Sequence, residues 1–177
     1  MADNSHRTAV FVDGDETLFH RQDCSSASEK PKHPHAVQIQ FQGRHYYVVA
    51  RPSARQFLEC VRSKHGKPDM VTSGWSEFQS LVLEALGLRS AIGEVHGRVY
   101  EMLTEGANWE PLDTPAHVVL VDDLDPRHDG LHAKLAKLGH GEGSTVTHIR
   151  CCKYFGTIHD PGSLMELLPA IDAALEA

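Results

Sequence analysis

Residues 8–12, Thr-Ala-Val-Phe-Val, form a short run of mostly β-branched and aromatic side chains that stops abruptly at Asp13-Gly14-Asp15. The run is too short for a stable helix but long enough for a strand buried on both faces of a parallel sheet. A second run, His117-Val118-Val119-Leu120-Val121, has the same character and also ends in acids, Asp122-Asp123. In open α/β sheets ligands bind beyond the carboxyl ends of the strands, so these carboxylates mark the place where a reactive site is expected.

Other segments fill in an alternating pattern. Residues 19–34 are polar, with Cys24-Ser25-Ser26 and Pro31-Lys32-His33-Pro34, and read as a loop over the mouth of the site. Residues 36–41 and 45–50 alternate apolar with polar around Gln42-Gly43-Arg44, which predicts a β-hairpin. Arg51-Pro52-Ser53 opens a helix carrying Phe57, Leu58 and Val61. Residues 69–72 form a short strand running into Ser73-Gly74, and Phe78, Leu81, Val82, Ala85 and Leu86 mark the helix that follows. Residues 92–100 hold weak strand character, and residues 102–115 read as irregular. A helix is predicted over 126–138, a fifth parallel strand over 145–149 and a closing helix over 162–177. The expected fold is α/β: a Rossmann-like parallel sheet flanked by helices, with a small β-hairpin insertion after the first strand. At 177 residues, 41% of them hydrophobic, one domain with its core over about 8–175 is expected.

Charge and cysteine content narrow the function. With 17 basic and 24 acidic residues the formal net charge is −7, which argues against a general nucleic-acid or anionic-membrane binder. Cys24, Cys60, Cys151 and Cys152 include no Cys-x-x-Cys and read as structural thiols. The thirteen histidines show no zinc-motif spacing. Without an apolar signal core or membrane span, a cytoplasmic protein is the expectation.

Asp13 and Asp15, two residues apart at a strand end, can divide the labour of phosphoryl transfer. One carboxylate attacks phosphorus, and the other gives and takes a proton. Asp13 and Asp122, from neighbouring strands, could share one Mg²⁺. Thr72 and Ser73 end a third strand, where a hydroxyl could bind a phosphate oxygen or simply cap a helix.

Asp13-Gly14-Asp15-Glu16-Thr17-Leu18, Val71-Thr72-Ser73 and Val118-Val119-Leu120-Val121-Asp122-Asp123 occur in the order used by the haloacid-dehalogenase (HAD) superfamily. The Glu-Thr-Leu ending resembles the branch that dephosphorylates the C-terminal domain of RNA polymerase II, the NLI-interacting-factor-like phosphatases. Arg51-Pro52 and residues 153–169 fit the same resemblance, which spans roughly residues 8–175. It implies a Mg²⁺-dependent phosphomonoesterase working through an aspartyl phosphate, with phosphoserine or phosphothreonine of a protein as substrate. Asp13 would be the nucleophile and Asp15 the acid/base. Thr72, with Ser73, would bind the phosphate. The metal would rest on Asp13, Asp122, the backbone carbonyl of Asp15 and, in the outer shell, Asp123.

One part is missing from that pattern. The family carries a lysine between its second and metal motifs, and no lysine lies between Thr72 and Asp122. Arg98, close to the expected position, and Lys153, after the last strand, are the candidate replacements. The absence of a large cap insertion points to an open site suited to a macromolecule, with Trp75, Trp109, Tyr46 and Tyr47 available to line a groove. Two alternatives stand beside the leading reading. One is a phosphatase for nucleotide or nucleic-acid ends, against which the acidic charge counts; the other is a phosphate- or partner-binding module that has lost turnover.

Overall fold

A computed structural model describes residues 8–26, 28–100, 110–141 and 144–176. Most of the segment expected to be irregular, with Trp109, lies outside the described residues. The chain opens with β1 (Val10–Val12) and then lays down β2 (Phe19–Cys24), β3 (Val37–Phe41) and β4 (Arg44–Ala50). From there helices and strands alternate: α1 (Ala54–His65), β5 (Asp69–Val71), α2 (Ser76–Ala85), β6 (Val95–His96), β7 (His117–Asp122), α3 (Asp129–Lys137), β8 (Thr145–Arg150) and α4 (Leu168–Leu175).

Five strands make a parallel sheet in the order β6-β5-β1-β7-β8, with β1 at its centre. The strict alternation of side chains along each strand divides the apolar runs between two cores. Val10 and Val12 of β1, with Val119 and Val121 of β7, pack on one face with Phe57, Leu58, Val82, Leu83 and Ile171. Phe11, Val118 and Leu120 face the other way, against Leu131 and Leu138 of the α3 region. Burial on both faces is why these strands read as continuous apolar runs. No helix among the described residues is long and apolar enough to cross a membrane.

The expected hairpin forms as β3 and β4, and a third strand, which the sequence did not announce, joins it. The start of the supposed loop, Phe19–Cys24, is a strand, and β2-β4-β3 form a separate three-stranded antiparallel sheet. Only Phe19 of this strand is buried; Arg21 and Asp23, on the same face, are exposed and the other three residues are half-buried, so its composition resembles that of a loop. Two helix starts also move. Leu124 and Arg127 donate backbone N–H groups to the side chains of Asp122 and Asp125, and α3 begins only after His128, whose Nδ1 accepts from Gly130 N at 3.0 Å. The closing helix is preceded by a 3₁₀ turn, Leu164–Leu167, capped by Ser163.

Candidate active site

Register explains why the acids meet. Val12 pairs with Val121 in the parallel ladder, and Asp13 N donates to Val121 O at 2.9 Å, so the next residues, Asp13 and Asp122, emerge side by side. Val12 also pairs with Met70 of β5, which brings Thr72 to the same edge from the other side. Asp13, Asp122 and Asp123 are all buried, and one carboxylate oxygen from each lies within 4.8 Å of the others. This is an all-oxygen, hard donor set of the kind that Mg²⁺ takes, and its chemistry fits the expected ion.

Lys134 supplies the positive charge at this cluster. Its Nζ lies 2.7 Å from Asp13 Oδ1 and 2.6 Å from Asp122 Oδ2, with the side chain almost wholly buried. Burial by itself would pull the ammonium down, but Asp13 and Asp122 outweigh it and hold Lys134 above the ordinary lysine value. Burial pushes the Asp13 carboxyl up; Lys134 opposes the shift, while Asp122 and Asp123 add to it. Three carboxylates thus crowd one buried ammonium, leaving room in the charge balance for a divalent cation.

The other expected residues take distinct places. Asp123 accepts from Thr17 Oγ1 at 3.0 Å, and the half-exposed Lys153 approaches its other oxygen at 3.6 Å. Thr72 is buried, and its hydroxyl oxygen accepts from Gly74 N at 3.1 Å. Ser73 is exposed and lines a cavity of about 380 Å³ with Tyr100, Arg127 and His128. Asp15 is half-buried, with Oδ2 accepting from Gln79 Nε2 at 2.7 Å. The Arg98 guanidinium lies over the Trp75 ring, 4.9 Å from its centroid. Cys151, packed behind Thr17, has its thiol pushed up by burial to about 11, which fits a structural role.

Lys134 and Gln79 were not singled out in the sequence, yet both carried a signal. Each sits on the inward stripe of its helix: Lys134 three residues from Leu131 and four from Leu138, Gln79 three and four from Val82 and Leu83. A polar residue on an apolar stripe has to find a partner inside, and here both partners are site carboxylates.

A groove of about 760 Å³ opens between the small sheet and α2, lined by Arg21, Arg44, Tyr46, Gly74, Trp75 and Phe78 among others. Tyr46 and Trp75 line it as expected, whereas Tyr47 lines a smaller cavity on another side.

A central parallel strand ending in Asp-x-Asp, a neighbouring strand ending in paired acids and a buried lysine between them define a HAD-type phosphatase. The pattern shared by the NLI interacting factor-like phosphatases matches residues 8–127, well over half the chain, and the chain belongs to that family. Lys134 and Lys153 lie beyond the matched residues. No curated protein matches the chain. Among solved structures it is similar to Fcp1, an essential RNA polymerase II CTD phosphatase, at 20% identity over 96% of this chain and 49% of that one, with a TM-score of 0.45. A beryllium-fluoride-bound variant of fission yeast Fcp1, likewise an RNA polymerase II CTD phosphatase, matches at 16% identity over 96% of this chain and 51% of that one, with a TM-score of 0.45. The chain therefore spans about half the length of the structures it matches.

Proposed function

We propose that this protein is a Mg²⁺-dependent phosphomonoesterase that works through an aspartyl phosphate on phosphoserine or phosphothreonine of a protein substrate. The observation that carries this reading is the buried Asp13, 2.7 Å from Lys134 and clustered with Asp122 and Asp123 at the carboxyl end of the central strand. Asp13, Asp122 and Asp123, with the Asp15 carbonyl, would hold the ion. When bound it would neutralise the phosphate and the attacking carboxylate and orient them for in-line transfer.

The residues of the chain divide the remaining work. A carboxylate oxygen of Asp13 attacks phosphorus, the ester P–O bond breaks, and the leaving oxygen takes the proton held by Asp15. Water then attacks phosphorus and gives its proton back to Asp15, and the P–O bond to Asp13 breaks, releasing phosphate. Thr72 already accepts a hydrogen bond from Gly74 N, so its own O–H is suited to donate to a phosphoryl oxygen. Lys134 takes the charge-neutralising role for which Arg98 and Lys153 were the sequence candidates. Arg98 instead stacks over Trp75, a wall of the groove, and Lys153 supports Asp123 from the rim.

The groove beside Trp75 supports a macromolecular substrate, and the buried lysine weakens the case for a module that has lost turnover. We also propose a cytoplasmic setting, supported by Cys24, Cys60, Cys151 and Cys152, all free thiols. The test is phosphate release from an aryl phosphate and from phosphopeptides, with and without Mg²⁺, comparing wild type with Asp13→Asn. Turnover that requires both Mg²⁺ and Asp13 is the expected result. Turnover indifferent to Asp13 would overturn the nucleophile, and binding of phosphopeptide without turnover would favour the module.

A further inference from the structure

Gln79 is a wholly buried amide on the core-facing stripe of α2, among Phe78, Val82 and Leu83. Its Nε2 donates to Asp15 Oδ2 at 2.7 Å, while its Oε1 is buried with no hydrogen-bond partner. An orphaned buried acceptor costs free energy that an apolar side chain of the same length would avoid, so packing alone does not account for a glutamine here. The backbone on both sides is also shaped around it. A Cβ at Gly14, between the two aspartates, would come 2.5 Å from Oε1, and one at Gly74, two residues after Thr72, would come 2.7 Å from Nε2. Neither glycine has a left-handed backbone to explain it; the amide is the nearest obstacle to a side chain at both, joined at Gly14 by the Phe19 ring at 3.0 Å.

We propose that Gln79 is the positioning residue for the acid/base: its amide grips Oδ2 and fixes the Asp15 carboxyl so that Oδ1 exchanges the proton with the leaving oxygen and then with water. A glutamine suits a group that alternates between two forms. Nε2 donates to the carboxylate, and a half-turn of the amide presents the otherwise unpartnered Oε1 to the protonated acid. A lysine or arginine could serve only the first form. The residue touches no substrate and acts through Asp15, so the inference rests on the acid/base reading of Asp15 given above.

The test compares kcat/KM for a phosphoserine peptide, whose alkoxide needs a proton to leave, with that for para-nitrophenyl phosphate, whose phenolate leaves without one. Gln79→Met keeps the length of the side chain and removes both polar atoms. It is expected to lower kcat/KM on the peptide by roughly tenfold to a hundredfold, the loss that follows when a reacting group is held loosely. The aryl ester should change by less than about threefold, and Tm should stay or rise because the orphaned acceptor is gone. Gln79→Leu, which removes the same amide with a smaller side chain, should show the same substrate-selective loss, and it decides the matter if Gln79→Met does not fold. Equal losses on both substrates, or no loss on either, would overturn the inference while leaving the phosphatase reading intact. A wild-type protein inactive on both substrates would overturn the phosphatase reading and this inference with it.

Discussion

Lys134 tests the site at the scale of one residue. Its ammonium contacts Asp13 and Asp122 at 2.7 Å and 2.6 Å, where charge on a transferring phosphoryl group would gather. Removing one preorganised donor from such a position costs about 10² to 10³ in kcat. Lys134→Met is therefore expected to lose about that factor, whereas Arg98→Ala and Lys153→Ala, over Trp75 and at the rim, should each lose less than about tenfold. Steady-state phosphate release from the three variants decides the assignment; a larger loss at Arg98 than at Lys134 would return the role to Arg98. The sequence hides this residue for a physical reason. A lysine twelve positions beyond Asp122 has no fixed distance from it in the chain, and only the packing of α3 on the sheet folds it back. The acids were visible because they sit at the ends of two strands whose pairing sets their separation.

Among the elements, the segment after β8 is tied down by Arg51, which stands between β4 and α1. Arg51 is fully buried, pairs with Asp160 at 2.7 Å, and donates to the carbonyls of Thr17, Cys152 and Gly162. One side chain thus joins the turn after Asp15 to the closing segment. Asp160 also accepts from the backbone and hydroxyl of Ser53. Burial would raise the Asp160 carboxyl, but the Ser53 and Arg51 hydrogen bonds and the guanidinium charge hold it below the usual carboxylate value. The unfolded chain therefore binds this proton more readily than the native one. The stabilisation is complete above the ordinary carboxylate range, near pH 4, and is lost as pH falls through the lower native value. Asp160→Asn should accordingly be less stable than wild type at pH 7, with the gap in Tm closing as pH falls below the ordinary carboxylate range; a gap constant with pH would mean that Asp160 acts by shape alone. Arg51→Ala, which removes a fully buried guanidinium and strands the part-buried Asp160, should cost about 3 to 5 kcal/mol in chemical denaturation. Arg-Pro was legible as a helix start, but the four partners of Arg51 come from three distant stretches, and no local spacing announces them. The misread of Phe19–Cys24 has a related cause: a strand with a single buried residue draws its regularity from β4, not from its own residues.

On the scale of the whole molecule, the two sheets meet at Phe78. Its ring packs edge-on against Phe41 of β3 at 5.3 Å and Tyr46 of β4 at 5.0 Å, and Arg21 of β2 lies over it at 5.5 Å. Ile39 and Val48 of the small sheet belong to the same core as Val10 and Val12 of the central strand. The three-stranded sheet thus shares its apolar face with α2 and the central core. We therefore propose that the chain is a single cooperative unit with its core over about 8–175, and that the groove beside the site exists only while that unit is intact. Wild type should unfold in one transition by both circular dichroism and tryptophan fluorescence. Phe78→Ala should shift that transition by about 3 to 5 kcal/mol without splitting it, as expected for an aromatic removed from a packed core. A variant that unfolds in two steps, the small sheet first, would show instead that the insertion is an appended module. At temperatures where the variant stays folded, the same change should raise KM for a phosphopeptide more than for an aryl phosphate, because Phe78 also forms a wall of the groove. Equal effects on both substrates would place peptide recognition elsewhere on the molecule.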